Sequence, residues 1–287
     1  MIENNNFFII GGDSRQLYMA DYLENLGYEV QIYGLPESKR YCCKNLSHSI
    51  NNYKNILLPL PVSRDGKHIF SIVSVKESID ELVCLLNENH RIFAGMISNT
   101  LKAKLEKNNS KVYDYFKRED VTIMNAVPTV QGILKTIIDN IEYTINSSKI
   151  AIFGYGRIGN LTADVLSSIG ADITVCARSY SDLAKAKTKG YNTCFIKNSD
   201  NNAEEYNIVI NTVPAVVINK AMLQKIRKDC LIIDVASTPY GVDYVAASEL
   251  ELNTILCPSL PGKVAPKTAG EIIANGVINI IKEEFDE

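Results

Sequence analysis

The stretch that decides the fold runs from Lys149 to Ser179 and reads KIAIFGYGRIGNLTADVLSSIGADITVCARS. Its apolar start, residues 149–153, predicts a strand that enters a glycine-rich turn, and the amphipathic pattern of residues 158–169 predicts a helix after the turn. A second apolar run, residues 172–176, predicts the next strand. Together these elements form a βαβ unit of the length that binds dinucleotides.

The three glycines of the turn have distinct expected roles. Gly154 allows the tight turn, Gly156 lets a pyrophosphate approach the backbone, and Gly159 lets the helix pack close to its strand. Backbone N–H groups at the helix start, around Arg157 and Ile158, would face the phosphates. The turn therefore predicts a dinucleotide site at these five residues; the alternative is a glycine turn in a Rossmann-like domain that binds nothing.

The end of the second strand indicates which dinucleotide is bound. Domains that prefer NAD usually place an acidic residue there, where it accepts hydrogen bonds from the ribose 2′-hydroxyl. Here the strand ends in Cys176-Ala177-Arg178-Ser179, without an acid. Because a guanidinium and a hydroxyl suit a 2′-phosphate, Arg178 and Ser179 predict NADP(H) as the cofactor.

Composition sets the broad class. The chain has 287 residues, enough for about two domains. With 46% hydrophobic and 22% charged residues it has the composition of a globular protein, and its net charge of −3 gives no overall attraction to nucleic acid or anionic membranes. The start, MIENNNFFIIGG, lacks the basic and apolar regions of a signal peptide, so a cytoplasmic location is expected.

Alternation of apolar and amphipathic stretches predicts a parallel sheet in each half of the chain. Strand-like runs in the second half cover residues 149–153, 172–176, 191–196, 207–212, 230–235 and 253–257. Those in the first half cover residues 7–11, 29–33, 55–60, 91–94 and 121–125. The predicted fold class is α/β, with two Rossmann-like, doubly wound parallel-sheet domains.

Two long helices are predicted to join these domains, one starting at Pro128 and one near Pro266. In the second helix, Thr268 and Glu271 have the spacing of a capping box. The predicted parts are a flavodoxin-like substrate domain (1–127), a linking helix (128–147), an NADP-binding Rossmann domain (148–265) and a returning C-terminal helix (266–287). A cleft between the domains is the expected place for a small-molecule site.

Further candidate site residues follow the predicted strands, because open α/β sheets bind ligands beyond the carboxyl ends of their strands. On the cofactor side these residues are Thr212, Pro214, Ala236 and Ser237. Other turns carry cations and hydrogen-bond donors, which suit a small dicarboxylate. The predicted substrate-binding residues are Ser14, Arg15, Ser63, Arg64, Ser98, Asn99, Thr129 and Thr268.

No dedicated catalytic acid or base stands out in the sequence. The three histidines are interpreted as structural or exposed, and the seven cysteines show no zinc spacing and are interpreted as free thiols. No metal site is predicted. Hydride transfer needs only modest help from the protein, since the cofactor carries the difficult chemistry. Asp13, Lys263 and Lys267, and with them Asp234, are the candidates for proton transfer.

Several segments carry a resemblance that extends over nearly the whole chain. In order they are GGDSRQ (11–16), LPLPVS (58–63), NAVPTVQG (125–132), GYGRIG (154–159), INTVP (210–214) and PGKVAPKTAG (261–270). GYGRIG alone is common to many dehydrogenases, whereas GGDSRQ, NAVPTVQG and PGKVAPKTAG are far more specific. Together the segments resemble the dipicolinate synthase A-subunit family.

This resemblance implies an activity. Family members oxidise a dihydro- or hydroxytetrahydro-dipicolinate to dipicolinate (pyridine-2,6-dicarboxylate) during sporulation, in the mother-cell cytoplasm and together with a flavin-binding B subunit. Two alternatives stay open: a non-catalytic NADP-binding regulatory protein, and an NADP reductase of the hydroxyacid or shikimate type. The oligomeric state also stays open, a homo-oligomer included.

Overall fold

The chain divides into two compact units. The computed structural model describes residues 6–36, 43, 45–73, 75 and 77–285. The first unit comprises Met1–Asn125 and Ala265–Glu287, and the second comprises Ala126–Val264. Each unit is built on its own parallel sheet, so the chain has the two-sheet α/β fold predicted from its sequence.

The first unit contains a five-stranded parallel sheet in the order β2-β1-β3-β4-β5. Along the first strand of the chain, an inner strand of this sheet, Phe7 and Ile9 belong to one core cluster, and Phe8 and Ile10 belong to another. Because both faces of the strand are buried, both faces of the sheet carry covering elements, as in doubly wound folds. The strands are β1 (Asn6–Ile10), β2 (Glu29–Tyr33), β3 (Asn55–Leu57), β4 (Arg91–Ala94) and β5 (Lys111–Asp114).

Helices and short 3-10 segments connect these strands. The helices are α1 (Ser14–Asn25), α2 (Leu46–Ser49), α3 (Ile79–Leu85) and α4 (Asn99–Leu105). The 3-10 segments are Ile50–Asn52, Glu106–Asn108 and Tyr115–Lys117. Asp13 caps α1 and Ser78 caps α3, each in a capping box that satisfies backbone N–H groups at the helix start.

The fifth strand differs from its prediction. Residues 121–125, predicted as a strand, lie instead in the long helix α5 (Glu119–Asn140), and the strand that pairs with β4 is Lys111–Asp114. The run of apolar and β-branched residues after Val121 suggested a strand. The acids Glu119 and Asp120 occupy the first turn of the helix, where negative charge is favourable.

Helix α5 also starts earlier than predicted, because Pro128 lies inside it rather than at its beginning. The boundary between the two units falls after Asn125, within this helix. By length and composition alone, α5 would be able to cross a membrane. Its buried hydrophobic residues are instead spaced as in the core helix of a globular protein: Val121, Ala126, Val130, Ile133 and Ile137.

The second unit contains a six-stranded parallel sheet in the order β11-β10-β9-β6-β7-β8. This is the strand order of dinucleotide-binding Rossmann domains: the chain adds β7 and β8 on one side of β6 and then β9, β10 and β11 on the other. The strands are β6 (Lys149–Phe153), β7 (Asp172–Ala177), β8 (Asn192–Phe195), β9 (Ile208–Asn211), β10 (Leu231–Asp234) and β11 (Thr254–Leu256).

The connections in the second unit are α6 (Arg157–Ser168), α7 (Tyr180–Thr188), α8 (Lys220–Leu223), α9 (Tyr244–Glu249) and α10 (Leu260–Val264), with a kinked 3-10 segment at Ile196–Glu205. Helix α6 and its two flanking strands agree with the predicted βαβ unit to within one residue. The strand order and the register of β6, β7 and β9 bring the carboxyl ends of these strands to one edge.

The last helix, α11 (Pro266–Phe285), corrects one further prediction. Thr268 and Glu271 do not form a capping box at its start, because the helix already begins at Pro266 and Thr268 lies inside the first turn. Proline is favoured at the first helical position, where its missing N–H has no helical partner to lose. Helix α11 packs against α1 so closely that a Cβ on Gly270 would lie 2.3 Å from the Arg15 carbonyl oxygen.

Candidate functional site

The glycine turn after β6 has the geometry of a phosphate-binding turn. Gly154 has φ of +91°, a left-handed conformation that favours glycine. Its N–H donates to the carbonyl oxygen of Cys176 at 2.9 Å, which ties the turn to the neighbouring strand. A Cβ on Gly154 would lie 2.4 Å from Thr212 Oγ1, so the end of β9 also packs directly against this turn.

Gly159 and Gly156, the other two glycines of the turn, differ in the space around them. A Cβ on Gly159 would lie 2.1 Å from the carbonyl oxygen of Gly154, so α6 approaches the strand end as closely as backbone atoms allow. A Cβ on Gly156, the N-cap of α6, would have nothing within 4 Å. The space in front of Gly156 is therefore open beside the backbone N–H groups of the helix start, and a pyrophosphate fits that cradle.

Polar and apolar turn residues surround this cradle at the same edge of the sheet. Thr212 donates its hydroxyl to the Phe153 carbonyl oxygen at 2.8 Å, so this side chain braces β9 against β6. Pro214 and Ser237 are exposed beyond the ends of β9 and β10, and Ala236 is buried. The four predicted residues thus lie at two adjacent strand ends, where Pro214 and Ser237 are exposed, Thr212 is half-buried and Ala236 is buried.

The Asp234 carboxylate is held in a hydrogen-bond network. Its side chain is fully buried and accepts four hydrogen bonds, two at each oxygen. The donors are the Asn211 side chain, the backbone N–H groups of Ala236 and Gly241, and the Tyr244 hydroxyl. Burial and the hydrogen bond to Asp234 raise the pKa of Tyr244, which therefore stays a donor.

Sequence reasoning missed this Asp234 network, which holds the loop from residue 235 to residue 244 at the ligand edge of the sheet. The sequence features that came closest to indicating it were Asn211 and Asp234, the polar residues at the ends of two apolar strands. The strand order brings them together, because β9 and β10 pair with Asn211 opposite Asp234. A Cβ on Gly241 would lie 2.0 Å from Asn211 Nδ2, so the loop returns into direct contact with this pair.

At the end of β7, Arg178 is exposed, and no carboxylate among the residues that the structure describes pairs with it. Ser179 is the N-cap of α7 and accepts a hydrogen bond from the N–H of Asp182 at 3.0 Å. The nearest acid in the chain, Asp182, lies 4.0 Å from Lys185. Arg157, in the first turn of α6, is also exposed. The edge of the cradle therefore carries positive charge.

In the first unit, Asp13 and Arg15 bind each other. The Arg15 guanidinium is buried, donates to both carboxylate oxygens of Asp13 at 2.9 Å and reaches the Leu60 carbonyl oxygen at 2.6 Å. The Asp13 carboxylate also caps α1 by accepting from the N–H of Arg15. A pair so engaged stabilises the start of α1, and the roles predicted for Asp13 in proton transfer and for Arg15 in substrate binding stay predictions.

The first turns of α1 and α11 lie side by side in the first unit. Gly270 packs on Arg15, and further along the two helices the Tyr22 hydroxyl donates to Asn275 Oδ1 at 3.0 Å. Both helices therefore start at the same end of the pair. Ser14 is half-buried in the first turn of α1, and Lys267 and Thr268 are exposed in the first turn of α11. The start of α1 is occupied by its own capping box, so the start of α11 and Lys267 are the groups here that favour an anion.

The remaining candidates are spread over other turns. Ser63 accepts from the Gly66 N–H and donates to Asp65, Ser98 caps α4, and the Arg64 guanidinium lies 3.9 Å from the Phe70 ring centroid. The other three differ in exposure and element: Asn99 is exposed in α4, Thr129 is buried in α5 and Lys263 is exposed in α10. The cleft predicted between the domains stays a prediction.

Histidines and metal ligands add nothing to these sites. His90 is buried, and desolvation lowers its pKa, so its ring is neutral and packs as part of the fold. His68 is exposed and lies 2.7 Å from Asp65. Within the described ranges, no group of three or more His, Cys, Asp or Glu side chains is arranged to hold a metal ion.

Comparison with known proteins agrees with this architecture. Residues 6–116 match the family of N-terminal domains from the A subunit of dipicolinate synthase. Residues 132–242 match "D-isomer specific 2-hydroxyacid dehydrogenase, NAD binding domain". The fold and the glycine cradle thus define a two-domain, dehydrogenase-like protein with a nicotinamide-dinucleotide-binding domain.

Whole-chain relatives then identify the family. The chain is 30% identical to the dipicolinate synthase A subunit of Bacillus subtilis (strain 168), over 96% of this chain and 95% of that protein. The crystal structure of the same subunit from Bacillus halodurans matches with a TM-score of 0.89 at 28% identity, covering 98% of both chains. The Bacillus subtilis structure matches with a TM-score of 0.87 at 29% identity, covering 99% of this chain and 97% of that one. The chain belongs to the dipicolinate synthase A-subunit family.

The Asp13–Arg15 pair predicts a stability effect. Asp13→Ala is expected to lower the free energy of unfolding by about 3 kcal/mol, because the buried Arg15 guanidinium loses its carboxylate partner. The matched control is Lys102→Ala, which breaks the exposed Lys102–Glu106 pair (3.6 Å). That change is expected to cost only about 0.3–0.5 kcal/mol. Urea denaturation measures both, and equal losses for the two variants would contradict the structural role of Asp13.

The two glycines around the cradle predict separable effects on binding and stability. Gly156→Ala places a methyl group in open space, so we expect weaker dinucleotide binding by about tenfold or more with little change in unfolding free energy. Gly159→Ala forces α6 away from the Gly154 carbonyl and is expected to cost about 1–3 kcal/mol of stability as well. Calorimetric binding and thermal unfolding of both variants test this, and tight binding by Gly156→Ala would refute the cradle.

Proposed function

We propose that this chain is the NADP-dependent component of a dipicolinate synthase. In this proposal it oxidises a dihydro- or hydroxytetrahydro-dipicolinate to dipicolinate, in the cytoplasm, together with a flavoprotein B subunit. The observation that carries the choice of cofactor is Arg178, which is exposed and unpaired within the described part of the chain at the end of β7. Family membership and the dinucleotide-binding domain support the choice of substrate class and reaction type.

The residues that would hold the dinucleotide are those of the cradle. The N–H groups at the start of α6 would bind the pyrophosphate, and the open space at Gly156 would admit it. Arg178 would pair with the 2′-phosphate, with Ser179 beside it at the start of α7. Pro214 and Ser237 would flank the nicotinamide half. When bound, the nicotinamide ring supplies a hydride acceptor, which is the electron sink that oxidation of the substrate ring requires.

The substrate carries two carboxylates, and the start of α11, which lies beside α1, fits one of them. Lys267 and Thr268 are exposed there and Ser14 lies in the neighbouring turn, so a charge-assisted hydrogen bond and two hydroxyl donors are available. Lys263 in the second unit is a further exposed lysine. Formation of the aromatic ring from the dihydro precursor releases a hydride and a proton, and the hydroxytetrahydro precursor also loses one water. Because Asp13 and Asp234 are both held in structural contacts, we assign uptake of the proton to the amine of Lys263 in its neutral form, and carboxylate binding to the Lys267 ammonium.

Arg178 gives a test of cofactor choice. Arg178→Ala is expected to raise the Kd for NADP(H) about 10- to 150-fold and to leave the Kd for NAD(H) unchanged. The expected factor corresponds to the loss of one charged hydrogen bond, which contributes about 1.5–3 kcal/mol. The control is Arg227→Ala, since Arg227 is an exposed arginine paired with Asp229 just before β10, at the opposite edge of the same sheet. Fluorescence titration with both cofactors measures the effect. Equal weakening for NADP(H) and NAD(H) would exclude the assignment.

The reaction itself is tested with the purified chain by itself and after mixing with the flavoprotein B subunit. We expect NADPH to form from the dipicolinate precursor, and Lys267→Met to raise the KM for that precursor about tenfold without changing the Kd for NADP. Lys282→Met, at the far end of the same helix, serves as the control. Cofactor binding without turnover in either mixture would instead indicate a regulatory protein. Reduction of a 2-oxoacid with NADPH would indicate a hydroxyacid-type reductase.

A further inference from the structure

Two cysteines lie directly opposite each other on neighbouring strands of the second unit. In the parallel pairing of β7 with β8, the Cα partner of Cys176 is Cys194. Side chains at partner positions point to the same face of a sheet, and both cysteines pack into the core cluster that contains Ala203 and Tyr206. Neighbouring strands lie about 4.8 Å apart. That spacing is within the range of about 4.4–6.8 Å that the Cα atoms of a disulfide require.

A cavity of about 660 Å³ opens on one member of this pair. Cys194 lines the cavity and is half-buried, whereas Cys176 is fully buried and does not line it. The cavity wall includes the whole of β8 and the first residues of β6 and β7, so the cavity extends from Cys194 to the edge of the sheet opposite the glycine turn. Its lining is rich in polar side chains, among them Asn192, Asn198, Asn201, Asn202 and Ser199. A small polar molecule therefore has access to the Cys194 thiol from a side that the dinucleotide would not occupy.

The environment distinguishes Cys194 from the other buried thiols of this unit. A hydrogen bond from the Cys176 thiol lowers the pKa of Cys194, because it stabilises the thiolate that forms there. Burial raises the pKa of Cys230, and burial also raises the pKa of Cys257. Since the thiolate is the nucleophile in thiol–disulfide exchange, Cys194 is the reactive member of the set.

We propose that Cys194 and Cys176 form a redox-active dithiol that a low-molecular-weight disulfide, entering through the cavity, oxidises to an intramolecular disulfide. In the first step the Cys194 thiolate attacks one sulfur of the reagent, and the other half leaves as a thiolate. In the second step the Cys176 sulfur attacks Cys194 Sγ and displaces the remaining half. Two protein thiols are oxidised and one disulfide is reduced to two small thiols, which take up both thiol protons.

The test uses the full chain and glutathione disulfide as the probe, with peptide mapping of the products. For the wild type we expect a Cys176–Cys194 cross-linked peptide and no glutathione retained on Cys194. Cys176→Ser cannot complete the second step, so we expect it to retain one glutathione on Cys194. Cys194→Ala is expected to form neither product. It changes only the half-buried position, so it provides the test even if replacement of the buried Cys176 prevents folding.

Cys84 provides an internal control, because it is exposed and has no neighbouring cysteine among the described residues. We expect Cys194 to react at least tenfold faster than Cys84 in the same sample, and a reducing agent to restore both thiols. A wild-type product with stable glutathione on Cys194 would overturn the proposal, and so would reaction of Cys194 no faster than that of Cys84.

Discussion

The close approach between α6 and the end of β6 is the constraint on which the second unit depends. A single missing side chain, at Gly159, allows the helix to start against the Gly154 carbonyl oxygen. That approach fixes the direction in which the first N–H groups of α6 point, and it leaves the space in front of Gly156 open. The neighbouring strands then close around the turn, β7 through the Gly154–Cys176 hydrogen bond and β9 through Thr212.

The first unit has the same kind of sheet but secures its first turn in another way. After β1 the chain also passes through glycines, yet the start of α1 is held by the Asp13–Arg15 pair and by the Gln16 side chain. These polar groups satisfy the N-terminal N–H groups that a phosphate would otherwise bind. The two units therefore use the same kind of sheet differently. Protein side chains close the start of α1, whereas the start of α6 is open to a ligand.

The sequence could predict the β6–α6–β7 unit closely because every signal there is local. Strand, glycine turn and helix follow one another within a single stretch, and Arg178 is placed by its position at a strand end. The prediction of the fifth strand of the first unit was wrong because the local β-propensity around Val121 competes with the acids in the first turn of α5, which favour a helix. Propensity alone could not decide between them, since packing against α11 contributes to the outcome.

For the predicted site residues, too, the sequence does not reveal contacts that depend on the fold. Asp13 was assigned to proton transfer and Arg15 to substrate binding because their turn follows a predicted strand. Their contact with each other depends on the fold, which also brings Arg15 to the Leu60 carbonyl oxygen. Asp234 could not be recognised as structural, because its four donors come from separate parts of the chain. The opposition of Cys176 and Cys194 likewise follows from the pairing register of β7 and β8, which composition and spacing do not reveal.

The hydrogen bond between the Gly154 N–H and the Cys176 carbonyl oxygen has a thermodynamic consequence. It joins the peptide that shapes the cradle to the peptide that carries the buried thiol. If oxidation of the thiols changes the affinity for the dinucleotide by some factor, bound dinucleotide must change the oxidation equilibrium of the thiols by the same factor. The change in the reduction potential of the pair on dinucleotide binding and the change in dinucleotide affinity on oxidation then measure the same coupling free energy, and either can be used to determine it.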